Sequence, residues 1–360
     1  MDKFAFIFHP YDIQILADAV VLEPSLKMKN QHLIENMLRW LPPIQKDTVL
    51  IRSATGTTVE GEMILLPLVS EQILHLDEKF IFKKVIDAGK LAQKLGAKII
   101  GLGAYLAGVG RRGVLLSEAL NIPVTTGTSY TIAIAIEAAL KAACDVGINL
   151  KEAKVGIIGA TGSIGKACSV ILSNQVGSLM LIGRNQERLE SIVEYIRLNF
   201  NQPNITCSTN IKQSVKNCDI VIIATTSPSE LLSVNDLNPG CIVCDISVPH
   251  NISSEDAEQS SILVIDGGLV QCPGNVNFPY LALAPGLAYA CLSEVMMLEL
   301  EGMFQNYSIG GNISVIKILK ISQLASKHGF CLSKFRSFGK VVSQNKINIV
   351  KEARFKRDIT

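Results

Sequence analysis

A cysteine and a glutamate stand in the apolar segment "AYACLSEVMMLELEG", residues 288–302. The pattern predicts a helix that starts near Pro285 and ends at Leu300. On that helix Cys291 and Glu294 lie about one turn apart, on a stripe that is otherwise apolar. A free cysteine in such a stripe is often a small buried hydrophobe, but a buried carboxylate beside it needs a partner or a function. We therefore expect either packing or nucleophilic thiol chemistry at Cys291.

A nucleophilic cysteine must react as the thiolate. In a helix that starts near Pro285, Cys291 would be too far from the N-terminus to gain much from the helix dipole. An ionised Glu294 would raise the pKa of the thiol. Activation is then expected from a cation, a backbone donor or a cofactor on the other side of the cleft. His9, at the end of the first predicted strand, is a candidate contributor, although a single histidine more commonly has a structural role.

The remaining cysteines give no sign of a disulfide framework or a metal centre. The total of nine is odd, and their positions lack the paired spacing of secreted disulfide-rich proteins. The "CIVC" at 241–244 matches C-x-x-C, but it lies inside a predicted buried strand and is not expected to have a redox role. The N-terminal "MDKFAFIFHP" lacks the apolar run of a signal peptide. We therefore expect reduced thiols, a cytoplasmic protein and no bound metal.

A second chemical signature is the segment "KVGIIGATGSIGKACSVIL", residues 154–172, in which three glycines separate a strand pattern from a helix pattern. Gly159 permits a tight turn, Gly162 lets the backbone approach a pyrophosphate, and Gly165 lets the helix pack on the strand. The N–H groups at the start of the helix would then face the phosphates of a dinucleotide. Further cofactor contacts are expected from the turn residues Thr161, Ser163 and Ile164.

The end of the second strand in this region predicts which nicotinamide nucleotide is bound. NAD sites usually have an acidic residue there to hold the ribose 2′-hydroxyl. This sequence has "GRNQERL" instead, with Arg184 and Asn185 at that point and Arg188 one turn later. A guanidinium group can pair with a 2′-phosphate, so we expect the cofactor to be NADPH. Small or hydroxyl-bearing residues that end the following strands are expected at the same ligand-binding edge: Thr225, Thr226, Ser227, Ser247 and Gly267.

Short apolar runs alternate with helical patterns along most of the chain, which predicts an α/β fold. Strands are predicted at 4–8, 48–52, 63–68, 98–103, 122–126, 154–160, 179–183, 219–226, 241–247 and 262–266, and a helix at 78–95. We expect an N-terminal α/β substrate domain at 1–145 and a Rossmann NADP-binding domain at 146–284. The residues 285–360 are expected to form C-terminal helices that carry Cys291 and close the cleft, followed by a basic tail.

The charge distribution does not point to nucleic acid, because the net charge is only +2. Residues 334–360 contain eight Lys or Arg and two acidic residues, a local charge of +6. Such a segment is commonly solvated, but it could also meet an acidic partner or an anionic membrane surface. Residues 267–293 are uncharged and long enough to span a bilayer, yet their three prolines, four glycines and two asparagines would break a lipid-exposed helix. We expect no transmembrane span and leave peripheral membrane contact open.

Together, these motifs resemble the long-chain acyl-[acyl-carrier-protein] reductases, which form fatty aldehydes, and their shikimate-dehydrogenase-like relatives. The resemblance runs from about residue 47 to residue 330, with a weaker match at "FHP" near the start. The most specific motif is "ACLSEVMMLELEG", residues 290–302, because it joins an unusual residue pair to a position in the chain. The other matching motifs are "RSATG" (52–56), "TTG" (125–127), "GATGSIG" (159–165), "GRNQERL" (183–189), "GG" (267–268) and "ASKHGF" (325–330).

The resemblance implies a two-step reduction of an acyl thioester. The nucleophilic cysteine of the family falls on Cys291, which would take the acyl group from an acyl-carrier protein or acyl-CoA before NADPH reduces it to a fatty aldehyde. The tetrahedral step needs an oxyanion hole, and the turn "TTGTSYT" at 125–131, with Thr128 and Ser129, is the candidate donor. Carrier proteins are acidic, so the basic tail could bind one, and an aldehyde-consuming enzyme is a further candidate partner.

Differences from the family pattern leave alternatives open. After "TTG" this chain has Thr128 and Tyr130 where the cyanobacterial pattern has Asn and His. One alternative is an NADP-dependent alcohol or keto-acid dehydrogenase of the shikimate dehydrogenase type, which would need a Lys/Asp pair for proton transfer. Lys90 and Lys98 are candidates, but neither has a convincingly spaced aspartate. The other alternative is a non-catalytic NADP-binding sensor that binds a partner through its basic tail.

Overall fold

The structure is a computed structural model that describes residues 2–11, 13, 16, 31–200, 202, 204–225, 227, 229–247 and 250–359. Thr226, one of the expected cofactor contacts, lies outside the described residues. The strands are β1 Lys3–Phe8, β2 Ile44–Arg52, β3 Thr58–Leu65, β4 Ala97–Leu102, β5 Val124–Thr125, β6 Lys154–Ile158, β7 Ser178–Ile182, β8 Ile205–Ser208, β9 Ile220–Ile223, β10 Ile242–Asp245, β11 Leu263–Asp266, β12 Leu269–Gln271, β13 Leu287–Tyr289, β14 Cys331–Leu332, β15 Arg336–Ser337 and β16 Lys340–Val341. The helices are α1 Gln31–Leu38, α2 Ser70–His75, α3 Glu78–Lys94, α4 Val109–Arg112, α5 Val114–Ala119, α6 Thr128–Val146, α7 Ser163–Leu172, α8 Gln186–Phe200, α9 Ile211–Val215, α10 Ser254–Ala257, α11 Ala290–Leu300, α12 Val315–His328 and α13 Gln344–Ile359.

The chain forms two compact units, each built from two segments. Unit 1 consists of Met1–Thr131 and Val270–Cys331, and unit 2 of Ile132–Leu269 and Leu332–Thr360. This division differs from the three regions expected from the sequence, because 285–360 does not form a region of its own. The helices α11 and α12 belong to unit 1, whereas α13 belongs to unit 2.

Unit 1 is centred on a five-stranded sheet with the order β2–β3–β1–β4–β5. Neighbouring strands from β3 to β5 in this order are parallel, and β2 runs antiparallel to β3 at the edge. β1 is apolar and almost fully buried, as expected for a parallel strand covered on both faces. Parallel strands end at the same edge of a sheet, so the residues that follow β1, β4 and β5 gather at that edge: His9, Gly103 and Thr126.

The helix that carries Cys291 packs directly against this sheet. A Cβ placed on Gly101 of β4 would lie 2.8 Å from Val295 Cγ1 of α11, so the glycine is needed for this close approach. Every residue of α11 from Leu292 to Leu300 is buried. A helix that is covered on all sides must be apolar around its whole circumference, which explains the continuous apolar segment in the sequence.

The helix α11 starts at Ala290, and the expected start near Pro285 is wrong. Leu287–Tyr289 are extended and form β13, which pairs with β12. Gly286 has a φ of 82°, so the Pro-Gly pair forms a turn before β13 instead of the first turn of a helix. As a consequence, Cys291 is the second residue of the helix.

Unit 2 contains a parallel six-stranded sheet with the order β11–β10–β9–β6–β7–β8. The chain builds outward from β6 in both directions, which is the Rossmann arrangement predicted from the sequence. The five strands predicted in this region are confirmed, with slightly shorter ends. β8 was not predicted, because "ITCS" is short, lies among polar residues and has one fully buried side chain, Ile205.

The basic C-terminal segment is docked on unit 2 and is not a solvated tail. Arg354 Nη1 and Arg357 Nη2 each lie 2.7 Å from Asp219 Oδ1. Lys346 Nζ donates to two backbone carbonyls near the end of α10, at 2.7 and 2.6 Å. Burial opposes ionisation of Asp219, but a backbone N–H and the two guanidinium groups outweigh it and lower the pKa of this carboxyl. Among the described helices, none is both long and apolar enough to span a bilayer.

Candidate active site

Cys291 lies in the first turn of α11, and its side chain is partly accessible. Burial raises the pKa of the thiol to about 11, and the Glu294 carboxylate raises it as well. The nearby backbone N–H groups of Ala104, Leu292 and Cys291 itself act in the opposite direction and lower the pKa. The thiol is therefore neutral at rest and needs a proton acceptor to react. The expectation that Cys291 is too far from the helix N-terminus to feel the dipole is wrong, because it depended on an earlier helix start.

Three tyrosines and a histidine lie around this position in unit 1. The Tyr11 hydroxyl is hydrogen-bonded to that of Tyr289, and Tyr11 is close enough to Cys291 for their charges to interact. Burial, reinforced by these neighbours, raises the pKa of Tyr11 well above its ordinary value, so its hydroxyl remains a hydrogen-bond donor. The ring of Tyr105 stacks on that of His9, with 6.0 Å between the ring centroids.

His9 is buried, and its hydrogen bond defines which ring nitrogen carries the proton. Nδ1 lies 3.0 Å from the Pro10 carbonyl oxygen, which can only accept, so the hydrogen is on Nδ1. Nε2 then has the lone pair, and it has no hydrogen-bond partner among the described residues. Burial lowers the pKa of His9 to about 4, so the ring is neutral at pH 7. The nitrogen Nε2 therefore has a free lone pair, but the lowered pKa makes it a weak base.

Gly127 brings the loop after β5 into contact with Cys291. Its φ of 73° lies in the left-handed region, and a Cβ placed on it would lie 2.1 Å from Cys291 Cα. No residue with a side chain fits at that distance. The "TTG" motif consequently places the start of α6 directly beside the helix that carries the thiol.

Glu294 connects α11 to the first turn of α6. Its carboxylate accepts hydrogen bonds from the Thr125 hydroxyl and from the Tyr130 N–H, the latter at 2.8 Å. Tyr130 is the third residue of α6, so Glu294 satisfies an N-terminal donor of a helix that is remote in the sequence. Burial raises the pKa of Glu294, and the hydroxyl and N–H donors around it oppose that effect. Its two oxygens are thus directed at α6, and the buried carboxylate has the partners that the sequence required.

The hydroxyls of Thr128 and Ser129 are engaged within the same loop. Thr128 Oγ1 lies 2.7 Å from Thr126 Oγ1. Ser129 is fully buried; its hydroxyl accepts from Ser308 Oγ at 2.7 Å, and its N–H donates to the same Ser308 oxygen at 3.1 Å. These bonds hold the loop beside Cys291.

Gly159, Gly162 and Gly165 form the turn between β6 and α7. Gly159 has a φ of 81°, and a Cβ on it would lie 2.3 Å from the Ala224 carbonyl oxygen. A Cβ on Gly165 would lie 2.3 Å from the Gly159 carbonyl oxygen. Gly162 precedes α7 and has no side chain to cap it, so the first N–H groups of the helix can face an anion. The other expected contacts in this turn are each partly exposed: Thr161, Ser163 and Ile164.

The residues after β7 divide into two roles. Asn185 caps α8, because its Oδ1 accepts from the Arg188 N–H at 2.9 Å. The side chains of Arg184 and Arg188 are exposed. The end of the second strand is where a Rossmann sheet holds the cofactor ribose, so both guanidinium groups are available near a 2′-substituent.

The remaining expected contacts follow β9, β10 and β11, at the carboxyl edge of the sheet of unit 2. Thr225 Oγ1 accepts from the Ser227 N–H at 3.2 Å. Gly267 N–H donates to the Asp245 carbonyl at 2.7 Å, and Ser247 N–H donates to the Asp245 carboxylate at 2.9 Å. The Ser247 hydroxyl is buried and has no partner among the described residues. A ligand at this edge could supply that partner.

The C-x-x-C pair lies in and next to β10. Cys241 and Cys244 are fully buried, and burial raises the pKa of both thiols well above their ordinary value. Thiols in such surroundings are inert, which agrees with the expectation of no redox role. Within the described part of the chain, no group of three or more His, Cys, Asp or Glu side chains could hold a metal ion.

Sequence reasoning did not identify four residues of the pocket: Tyr11, Tyr105, Tyr289 and Ser308. For the tyrosines the available signal was position, because each lies at or just after the end of a strand of unit 1. Ser308 lies in a loop with no periodic pattern, so the sequence offered no comparable signal for it.

Comparison with known proteins places the nucleotide-binding part of the chain among dehydrogenases. Residues 141–267 match the family model of shikimate / quinate 5-dehydrogenase. The chain is 29% identical to the long-chain acyl-[acyl-carrier-protein] reductase of Synechococcus elongatus over 308 residues, which cover 80% of this chain and 87% of the relative. It is also 29% identical to the aminotransferase PigE of a Serratia species, over 96% of this chain. The chain spans only 41% of the length of that aminotransferase.

A solved structure, the quinate dehydrogenase of Corynebacterium glutamicum in complex with NAD, aligns with 90% of this chain and 99% of its own. The identity is 12% and the TM-score is 0.41. The parallel sheet with its glycine turn and the sequence matches lead to one conclusion about class. The chain is an oxidoreductase that depends on a nicotinamide nucleotide.

Proposed function

We propose that this protein reduces a long-chain acyl thioester to a fatty aldehyde, with NADPH as the reductant and Cys291 as the residue that holds the acyl group. The observation that carries the proposal is the placement of Cys291. It is a partly accessible thiol at the start of a helix, with backbone N–H groups near enough to lower its pKa, and Tyr11 lies beside it. A cysteine that only fills space needs no such donors around it.

Cys291 must lose its proton to attack, and we assign that proton to Nε2 of His9, which has the lone pair and, as a weak base, would hold the proton only transiently. The sulfur then forms a bond to the carbonyl carbon of the substrate. The bond from that carbon to the carrier sulfur breaks, and the carrier leaves as a thiol with the proton returned from His9. The acyl group is now a thioester of Cys291. Bound NADPH would supply the hydride that converts this thioester into the aldehyde.

The tetrahedral step places negative charge on the substrate oxygen, which requires preorganised donors. We assign this role to the N–H groups of Ala104 and Leu292 and to the hydroxyl of Tyr11, which stay protonated. The hydroxyls of Thr128 and Ser129 are already engaged, so we propose that they hold the loop in position. Glu294 has the same supporting role, because both of its oxygens bond to the loop and to α6.

The relatives support the substrate class. The Synechococcus relative is named as a reductase of long-chain acyl-carrier protein, and it aligns over most of both chains. The Serratia relative is named as an aminotransferase, and a region equal to this chain forms less than half of it. Transamination consumes a carbonyl compound, so a neighbouring unit that produces an aldehyde would fit that protein. An enzyme that consumes the aldehyde is therefore a candidate partner of this chain as well.

We further propose that the cofactor is NADPH, because Arg184 and Arg188 are exposed at the end of β7. Replacing both with alanine should weaken NADPH binding about 10-fold or more, since each guanidinium can form charge-assisted hydrogen bonds to a 2′-phosphate. NADH lacks that phosphate, so its dissociation constant should change little. Titration of both cofactors by fluorescence measures the two constants in the same protein. Equal weakening of NADPH and NADH binding would contradict this assignment.

Among the described residues, the lysines suggested for the dehydrogenase alternative do not form the pair that it needs. Lys90 and Asp87 are exposed on α3. Lys98 is exposed at the beginning of β4, the end opposite to the one that leads to Ala104 and the thiol. A shikimate-dehydrogenase-like proton transfer would require a lysine and an aspartate directed at one substrate. The match to the shikimate / quinate model is explained by the nucleotide-binding region that it covers.

The proposal is tested by intact-protein mass spectrometry after incubation with a long-chain acyl-CoA or acyl-carrier protein and no NADPH. We expect an acyl-sized mass increase on the wild-type protein that disappears, with release of aldehyde, when NADPH is added. Cys291→Ala should form no adduct and should still bind NADPH. Cys144→Ala removes an exposed cysteine elsewhere in the chain and should behave as the wild type. A protein that binds NADPH and forms no adduct with any donor would overturn the proposed function.

A further inference from the structure

The segment between β4 and α5 contains a left-handed turn. Four consecutive residues have positive φ: Gly110 at 59°, Arg111 at 54°, Arg112 at 58° and Gly113 at 80°. The ψ values of Gly110 and Arg111, 52° and 46°, are those of a left-handed helix. This conformation is unfavourable for residues with a Cβ, and it is visited routinely only by glycine and sometimes by asparagine or aspartate. Two arginines in succession are therefore an exceptional choice for this turn.

In the described structure, no side-chain hydrogen bond or ion pair offsets the strain of these two residues. The side chain of Arg111 is exposed, and that of Arg112 is half-buried. Neither guanidinium has a hydrogen bond or an ion pair to any residue that the structure describes. The flanking glycines already supply the turn, so glycine at positions 111 and 112 would be less strained. The side chains themselves must be useful in a way that the unliganded protein does not show.

Contacts within unit 1 place this turn at the edge that carries the thiol. Near its start the segment contains Ala104, whose backbone N–H lies close enough to Cys291 to lower the pKa of the thiol. At its other end, a Cβ on Gly113 would lie 3.4 Å from Thr126 Cγ2, next to the glycine that touches Cys291. The Arg112 carbonyl accepts from the Gly310 N–H at 2.9 Å, which ties the turn to the loop of Ser308. The arginine pair thus belongs to the group of loops that surrounds Cys291.

We propose that Arg111 and Arg112 form an anion subsite for the phosphate at the end of the 4′-phosphopantetheine arm of the thioester substrate. This inference rests on the proposed function. Coenzyme A and acyl-carrier proteins both present the acyl thioester on this arm, and the arm ends in a phosphate in both. A planar guanidinium binds phosphate oxygens through two parallel hydrogen bonds, and two adjacent arginines can hold one phosphate between them. The arm separates phosphate from thioester, so a subsite displaced from the thiol along the same edge is what such a substrate needs.

The test compares donors with and without the phosphate in the double variant Arg111→Gly/Arg112→Gly. Glycine accepts positive φ, so the backbone is retained and the midpoint of thermal unfolding should be unchanged or higher. The rate of Cys291 acylation at low donor concentration should fall about 10- to 100-fold for acyl-CoA and for acyl-carrier protein, because charge-assisted hydrogen bonds are lost. It should be unchanged for acyl-pantetheine, which has no phosphate. Arg111→Lys/Arg112→Lys should be intermediate, because it keeps the charge and loses the paired geometry.

Calorimetric binding decides the inference even if no acylation occurs. In protein that also has Cys291→Ala, affinity for CoA and for 4′-phosphopantetheine should fall about 10-fold or more in the double glycine variant, and affinity for pantetheine should not change. The control Lys90→Ala/Lys94→Ala removes the same charge from exposed positions on α3 of unit 1 and should leave all these values unchanged. Equal losses with and without the phosphate, no loss at all, or a loss with CoA only would overturn the inference. Absence of acylation with retained phosphate-dependent binding would instead contradict the proposed function.

Discussion

The glycine turn of unit 2 and the cysteine pocket of unit 1 both depend on a glycine that lets two backbone segments approach closely. They differ in how far apart those segments are in the sequence. In the turn, Gly165 approaches the carbonyl of Gly159, its neighbour in one short motif. In the pocket, Gly127 approaches Cys291, and the hydrogen bond from Tyr130 to Glu294 in the same network joins residues 164 positions apart. Both sites require a glycine because a Cβ would collide with backbone.

The difference teaches which sites can be recognised in a sequence. The turn is recognisable because strand, glycines and helix follow one another, so every part of the signature lies in one segment. The pocket is assembled from the ends of several strands and the start of one helix. Each contributing segment is short, and its local sequence does not indicate which other segments it will contact. A functional interpretation of the pocket therefore depended on a family resemblance until the contacts were known.

The largest effect is expected from a substitution that disrupts the pocket and leaves the turn intact. In Gly127→Ala the new methyl group would lie 2.1 Å from Cys291 Cα, so the loop or the helix must move. We expect acylation of Cys291 to fall about 100-fold or more, because a displacement of about 1 Å is enough for such a loss. The free energy of unfolding should fall by about 2–4 kcal/mol, from overpacking and left-handed strain together. Single-turnover acylation and urea denaturation measure the two effects.

The control for this change is Gly96→Ala in the same unit. Like Gly127, Gly96 has a positive φ, here 87°, but a Cβ placed on it would have no atom within 4 Å. It should lose about 1 kcal/mol of stability from left-handed strain and should keep its acylation rate. If Gly127→Ala resembled Gly96→Ala in both measurements, the contact between the loop and Cys291 would not matter for the reaction.

The second prediction concerns a change in unit 2 that should disrupt the turn and leave the pocket intact. In Gly165→Ala the new methyl group would lie 2.3 Å from the Gly159 carbonyl oxygen, so the turn that faces the phosphates must open. NADPH binding should weaken about 10-fold or more, because the helix N–H groups lose their alignment with the anion. Acylation of Cys291 in the absence of NADPH should stay within about two-fold, because both partners of that reaction involve unit 1.

Gly147→Ala is the matched control for the turn, because Gly147 has a φ of 85° and its nearest neighbour would be 3.8 Å from the new Cβ. It should bind NADPH as the wild type does. Gly127→Ala should thus lose acylation and keep NADPH affinity, whereas Gly165→Ala should lose NADPH affinity and keep acylation. Loss of acylation in Gly165→Ala, or of NADPH affinity in Gly127→Ala, would show that the two sites are not separable in this way.

The third prediction concerns pH, a change in which should affect the stability of the cysteine helix and not the turn. The turn 159–165 contains no ionisable side chain, whereas α11 contains buried Glu299 near its C-terminal end. Neither carboxylate oxygen of Glu299 has a partner among the described residues. Burial raises its pKa to about 7; Asp2 raises it as well, and Lys98 lowers it. The folded protein thus favours the protonated form, so the contribution of Glu299 to stability is complete below its ordinary pKa and is lost as the pH rises to about 7 and beyond.

Glu299→Gln should remove this dependence. At pH 8 the free energy of unfolding should rise by up to about 3 kcal/mol, and at pH 4 it should not change, as measured by urea denaturation at both values. Glu301→Gln should change the pH dependence of the free energy of unfolding in the opposite direction. Burial opposes ionisation of Glu301, but Lys327 and His328 outweigh it and lower its pKa, so its contribution is present at neutral pH and lost in acid. If the free energy of unfolding changed with pH in the same way in both variants, the surroundings of Glu299 would be more polar than its burial indicates.

Much of the fold was predictable, and the exceptions have physical reasons. Most strands of both sheets were found because parallel strands covered on both faces are short continuous apolar runs, whereas β8 was missed and β3 was predicted at 63–68 instead of Thr58–Leu65. The start of α11 was placed too early, because Leu287–Tyr289 have the same apolar character as the helix that follows. What makes them a strand is their pairing with β12, which is not visible in the local pattern. The basic residues of the C-terminal segment were correctly seen, but the carboxylate that binds two of them, Asp219, is far away in the sequence.

The sequence by itself determined the glycine turn, the parallel strands and the presence of a cysteine and a glutamate on one helix, because each of these depends on neighbours within a few residues. Only the tertiary structure decided what surrounds that pair. It placed Cys291 at a helix N-terminus, directed Glu294 to the start of α6, and gathered His9, Tyr11 and Ala104 at the same edge of the sheet. The physical reason is that parallel strands end at a common edge, so residues from distant segments become neighbours only when the sheet has formed.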